Sequence, residues 1–212
     1  MKTTFLAILV TVGICCSVLG GNIKDPINDF LFDNSDPDDA FALSRIQRVF
    51  ELKLDINNDE KPVVFLSMNG MGAKGVNTWQ AYIPDKGNYR KVDQSEDNFY
   101  FRRDVFYVGY VDSIKKFGLL AYISGGEGGD LNFYQILNCK LSVQNIGKIS
   151  PSSDPKDKKI WEKYFGKPGN ERSLHDHPVK TLTLDDLRKA GYDVDAAISA
   201  AKAKIHPYEA PR

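Results

Sequence analysis

The chain has 212 residues, 28 basic and 28 acidic side chains, and a formal net charge of zero. No overall field draws it to nucleic acid or to an anionic membrane surface, so neither partner is expected. Its length suits one ordinary domain, with or without a C-terminal appendage.

Residues 1–20 read as a secretory signal peptide. Lys2 supplies the positive start, and Phe5 to Leu19 is apolar apart from Thr11, Gly13 and Ser17. Val18-Leu19-Gly20 offers a cleavage point after Gly20. The apolar run is too short for a comfortable membrane span. The mature chain is therefore expected to be secreted or periplasmic, with no span. Lipid attachment at Cys15 or Cys16 is the disfavoured rival, because Ile14 and Cys15 stand where a small residue is wanted. Beyond the signal only Cys139 is left, so the domain holds together by its core rather than by disulfides.

Residues 21–150 read as a β domain with a short N-terminal helix. Residues 21–35 are Asn/Asp-rich and expected to be irregular. The helix is placed at Asp36-Pro37, where an acid precedes a first-turn proline. Strands follow at Phe50 to Leu54, Val63 to Ser67, Thr78 to Ile83 and Tyr89 to Val92, with a turn at Pro84-Asp85-Lys86-Gly87. The series continues through Phe99 to Phe101, Val105 to Val111, Leu119 to Ser124, Leu131 to Leu137 and Lys140 to Ile146. Residues 151–212 read as a helical segment packed on the β domain or following it. One helix opens at Asp154-Pro155, carries Ile160, Trp161, Tyr164 and Phe165, and ends at Gly166. A polar loop covers 166–178. A capping box at Thr183 and Asp186 starts a short helix, and a last helix is capped by Asp193 or Asp195.

Two stretches, VVFLSMNGMGAKGVNTWQAYI and LLAYISGGEGGDLNFYQIL, share a plan: an apolar strand ending in serine, a glycine-rich loop, then an aromatic strand. Ser67 and Ser124 lie further apart than the about 40–50 residues of a propeller blade, and two units cannot close a ring. The expected fold is α+β: an antiparallel sheet or small sandwich of two blade-like repeats with short flanking helices. Trp79 and Phe133 are expected at equivalent places in the two repeats.

The stretch DINNDEKPVVFLSMNG puts Asp55, Asn57 and Asp59 at alternate positions before a strand. An EF-hand is excluded: its glycine and glutamate positions hold Glu60 and Leu66, and the flanks are strands. The plain alternative is a polar turn in which Asn and Asp bond local backbone. His175-Asp176-His177 is a second candidate, with His206 or a distant acid as a third zinc ligand; its plain alternative is an exposed loop. Phe99 and Phe101 beside Arg102 and Arg103 could form a cation–π patch or, as expected, belong to the core. The glycines at 125–129 lack the lysine and helix of a phosphate loop, and Glu127 with Asp130 reads as surface.

The 55–59 loop resembles the calcium loop of FG-GAP (VCBS-type) repeats, which sits between two strands. Asp55, Asn57 and Asp59 match that pattern, while Glu60 replaces its glycine and Val63 its final aspartate. The likeness spans residues 50–92 with an echo at 111–137. It implies a weak calcium site at most, and a backbone at Glu60 resisting the left-handed turn. The function expected is therefore a non-enzymatic β module with a protein or glycan partner and no cofactor beyond weakly held calcium. The alternative is a secreted metal-dependent hydrolase using His175 and His177.

Overall fold

The computed structural model describes residues 23–33, 48–68, 76–125, 128–167 and 170–204. The helix expected from Asp36 lies outside them. A helix stands one Asp-Pro pair earlier, as α1 (Pro26–Asp33). The Asp25 carboxylate accepts from the Ile27 and Asn28 amides at 2.8 and 3.4 Å, which caps the free N–H groups of the first turn. Ile27, Phe30 and Leu31 then fall on one buried face. The Asn/Asp-rich composition of 21–35 hid this short amphipathic turn.

The remaining chain is mainly antiparallel β-structure with a few short helices, in line with the α+β class. The first sheet is β12-β1-β2-β3-β4, built from β1 (Arg48–Leu54), β2 (Val63–Met68), β3 (Val76–Asp85), β4 (Asn88–Lys91) and β12 (Lys180–Thr183). Strand β5 (Phe99–Arg102) pairs with the first half of β3, and β4 with the second half. The β3–β4 turn holds Lys86 and Gly87 at φ 48° and 82°, the two left-handed positions that a tight hairpin wants. The second sheet is a meander of β6 (Phe106–Val111), β7 (Lys116–Gly125), β8 (Gly128–Leu137) and β9 (Lys140–Ile149).

Alternation along each strand sorts side chains between layers. Phe50, Leu52, Phe65, Trp79, Phe99 and Phe101 of the first sheet share a core with Phe106, Leu119, Ala121 and Tyr134 of the second. Val49, Val64, Leu66 and Tyr82 face the other way and pack under α1, α4 (Leu184–Lys189) and α5 (Val194–Lys204). The outer face of the second sheet, with Leu120, Leu131 and Phe133, packs on α2 (Pro155–Tyr164). The order across the molecule is helices, sheet, sheet, helix. Trp79 thus lies between the sheets, whereas Phe133 lies on the far face under α2; the two do not occupy equivalent places.

Helix α2 forms as expected: Asp154 is its N-cap, Pro155 opens it, and Gly166 follows the C-cap at φ 89°. The capping box at Thr183 and Asp186 is complete. The polar loop expected over 166–178 is instead a two-strand ribbon, β10 (Gly166–Lys167) with β11 (Asn170–Glu171), and a short α3 (Arg172–Asp176). The segment expected to be helical also supplies β12, which pairs antiparallel with β1. Only Leu182 is apolar in Lys180-Thr-Leu-Thr183, the composition of an exposed edge strand, which carries little periodic signal. Among the described residues, no helix is long and apolar enough to cross a membrane.

Candidate functional site

The 55–59 loop is closed by its own backbone. The two Asp55 carboxylate oxygens accept from the Asp59 and Glu60 amides at 3.1 and 3.0 Å, and Asp59 Oδ1 accepts from the Lys61 amide at 3.1 Å. Ile56 is buried between the sheets and fixes the loop's root, while Asn57, Asn58, Asp59 and Glu60 are exposed. Glu60 adopts the left-handed backbone, at φ 61°, that a non-glycine residue was expected to resist. The hydrogen bond from its amide to Asp55 offsets the strain. Among the described residues, no three His, Cys, Asp or Glu side chains gather as a metal-holding group. Calcium would have to recruit Asp55 oxygens that already bond the backbone. The expected result of a calcium titration followed by thermal melting is no shift at micromolar calcium, with binding at about 10⁻⁴–10⁻³ M or not at all. A saturable micromolar shift, lost in Asp59→Ala, would contradict this.

His175 and His177 are not on an open loop. Helix α3 is held by Ser173, buried, whose hydroxyl donates to the Asp104 carbonyl at 2.6 Å. The His177 amide donates to the Ser173 carbonyl at 3.1 Å. That bond turns the His177 ring onto Phe106, 5.8 Å between ring centres, whereas His175 stays exposed. His206 lies outside the described residues. Burial lowers the His177 pKa, with Asp176 opposing. The folded state therefore resists protonation that the unfolded chain accepts. Stability from this group is present above pH 6.5, the ordinary histidine value, and is lost as pH falls below it. Urea midpoints should drop from pH 7 to pH 5, and His177→Phe should flatten that portion. An unchanged slope in the variant would place the dependence elsewhere.

The aromatic–arginine patch resolves into core and surface. Phe99 and Phe101 are fully buried, so they offer nothing to a partner. Arg102 forks onto the Asp104 carboxylate at 2.9 and 2.7 Å, and Arg103 lies 4.7 Å over the Phe50 ring. Glu127 lies outside the described residues. Cys139 is a free thiol, partly buried, in the β8–β9 turn, where it accepts from Arg90 Nη1 at 3.7 Å.

A cavity of about 340 Å³ opens on the helix-covered face of the first sheet. Its floor comes from β1, β2 and β12: Glu51, Lys53, Val64, Lys180 and Leu182. Its walls are the start of α1 at Lys24 to Ile27, Leu187 and Ala190 of the α4 end, and the rings of Tyr89 and Tyr192. Glu51 is only 9% exposed. Its Oε1 meets Lys53 Nζ at 3.0 Å, and Lys180 stands directly across from it in the β1–β12 ladder. The Glu51 side chain keeps 11% of its surface open. Burial, then Asp25 and Glu51, pushes the Tyr192 hydroxyl up to about 12. The Thr183 hydrogen bonds hold Asp186 below the usual carboxylate range.

Sequence reasoning did not reach this cavity. Glu51 and Lys53 read as the wet face of a half-buried strand, because alternation tells which residues share a face but not what covers it. The covering pieces come from residues 24–27 and 182–192, far from β1 in sequence. Comparison of the chain with family models, with curated proteins and with solved structures gives no match.

Proposed function

We propose that the chain is an exported, non-catalytic β module that holds a small ligand in the cavity between the first sheet and its helices. The observation that carries this reading is the cavity itself: about 340 Å³ lined by carboxylates, lysines and apolar side chains, with the nearly buried Glu51 carboxylate on its floor. A concave, partly apolar site with a few convergent polar groups is the usual form of a small-ligand seat. The surroundings favour holding over chemistry. Tyr192 at about 12 stays protonated, and Asp186 stays ionised, across ordinary pH; proton-transfer catalysis wants groups poised near the working pH. Export rests on the apolar run from Phe5 to Leu19 and the Val18-Leu19-Gly20 site.

The kinship with FG-GAP repeats is part of the same proposal, at a coarser level. It is supported by the common plan of the β2–β3 and β7–β8 hairpins, both antiparallel, and by the position of the 55–59 loop between β1 and β2. The differing environments of Trp79 and Phe133 weigh against close internal repetition.

The test is a blocked cavity. Ala190 is exposed on the wall, so Ala190→Trp can fill the mouth without entering the core. Small polar molecules that raise the thermal midpoint of the wild-type protein should lose that effect in the variant. Equal protection of both proteins would remove the cavity as the seat.

A further inference from the structure

We infer that the cavity takes a small zwitterion with an apolar side group, an amino-acid-like molecule whose ammonium meets Glu51 and whose carboxylate meets Lys180 and Lys24. The inference rests on the reading of the cavity as a ligand seat, and adds the chemistry of the occupant.

The charges lining the cavity are unequal in what they have left to give. Asp25 Oδ1 accepts from the α1 amides, and Asp186 Oδ2 bonds Thr183. Lys53 is committed to Glu51 Oε1. The cavity therefore presents both signs of charge: the Glu51 carboxylate on its floor, the second oxygens of Asp25 and Asp186 on its walls, and the ammonium groups of Lys24 and Lys180, which form no ion pair among the described residues. One carboxylate lies deep, at Glu51, a residue 9% exposed. The two free cations sit on exposed residues at the opening.

That layout selects by charge order. A purely apolar guest would seal the Glu51 carboxylate away from water, which is expensive for a charge. An anion alone would meet Glu51 at the bottom. A cation alone would meet Glu51 but bring a fourth positive charge beside Lys24, Lys53 and Lys180. A molecule carrying both charges a few ångströms apart answers each group and leaves the neutral balance of the cavity unchanged. Ile27, Val64, Leu182 and Leu187 give an apolar surface for the rest of the molecule. A volume of about 340 Å³ lies at the small end of ligand sites, fitting a metabolite rather than a chain.

The experiment uses three probes of one shape in titration calorimetry on the mature protein: L-leucine, 3-methylbutan-1-amine and 4-methylpentanoate. The amine lacks the carboxylate and the acid lacks the ammonium. Leucine should bind, and each half-molecule should bind at least about tenfold more weakly, the loss expected for one charge-assisted hydrogen bond. Glu51→Gln and Lys180→Met should each weaken leucine by a similar factor, with circular dichroism unchanged; Lys180 is exposed, so its replacement does not disturb the core. Amine binding as tight as leucine overturns the zwitterion and leaves a cation seat. Leucine failing to bind, while another molecule binds and is blocked by Ala190→Trp, overturns the zwitterion and keeps the seat. Leucine binding that ignores Glu51→Gln, Lys180→Met and Ala190→Trp overturns both.

Discussion

Replacing Trp161 with alanine is expected to destabilise the protein by about 3–5 kcal/mol, the usual loss for a large aromatic removed from a core. The indole packs edge-on to Tyr122 and against Phe165, each 5.0 Å between ring centres. Together with Tyr164 and Phe165 it fastens α2 to Leu120, Leu131 and Phe133 on the outer face of the second sheet. Its Nε1 hydrogen is buried with no acceptor among the described residues, so the ring contributes through area and contact rather than through a hydrogen bond. Trp161→Phe should therefore cost distinctly less than Trp161→Ala, because it removes the unmet donor along with part of the ring. Urea unfolding reads both, as midpoints at an unchanged slope. A midpoint that barely moves in Trp161→Ala would make α2 an undocked appendage.

Phe101→Ala is expected to be as severe, about 3–5 kcal/mol, and to act on a different seam. The Phe101 ring touches Phe65 and Trp79 of the first sheet at 6.0 and 5.1 Å. It touches Phe106 and Tyr134 of the second at 5.6 and 6.3 Å. One side chain thus joins both layers, and alanine would leave a void whose four aromatic walls belong to two sheets. The hydrogen bond from Trp79 Nε1 to the Phe101 carbonyl, 3.0 Å, survives the change and limits collapse of β3 into the void. A double-mutant cycle with Phe106→Leu isolates the contact between sheets, with an expected coupling of about 0.5–1.5 kcal/mol. Additive losses would mean that the sheets do not meet at this pair.

The parts of the fold legible in the sequence are those with local causes. Alternation in Phe50 to Leu54 and the β-formers of Val63 to Ser67 located β1 and β2, and Asp154-Pro155 located α2. The same Asp-Pro signature stood at Asp25-Pro26 and would have placed α1, but its polar neighbours masked the Ile27, Phe30 and Leu31 face. Strand β12 carries one apolar residue and owes its conformation to pairing with β1, a contact across more than a hundred residues. The 55–59 loop was legible as a turn, because Asx residues bond nearby amides wherever they occur. The cavity was not, because its carboxylate, lysines and tyrosines become neighbours only after α1 and α4 cover β1.

The location of binding is the claim on which the functional account stands, and amide chemical-shift mapping tests it most directly. Uniformly ¹⁵N-labelled protein would be titrated with small zwitterions, amines and acids while backbone resonances are followed. The account predicts saturable shifts at Glu51, Lys53, Lys180, Leu182 and Tyr192, with Asp55 to Glu60 and His175 to His177 unmoved. Shifts centred on His175, Asp176 and His177, with the residues around Glu51 silent, would contradict it and restore the hydrolase alternative.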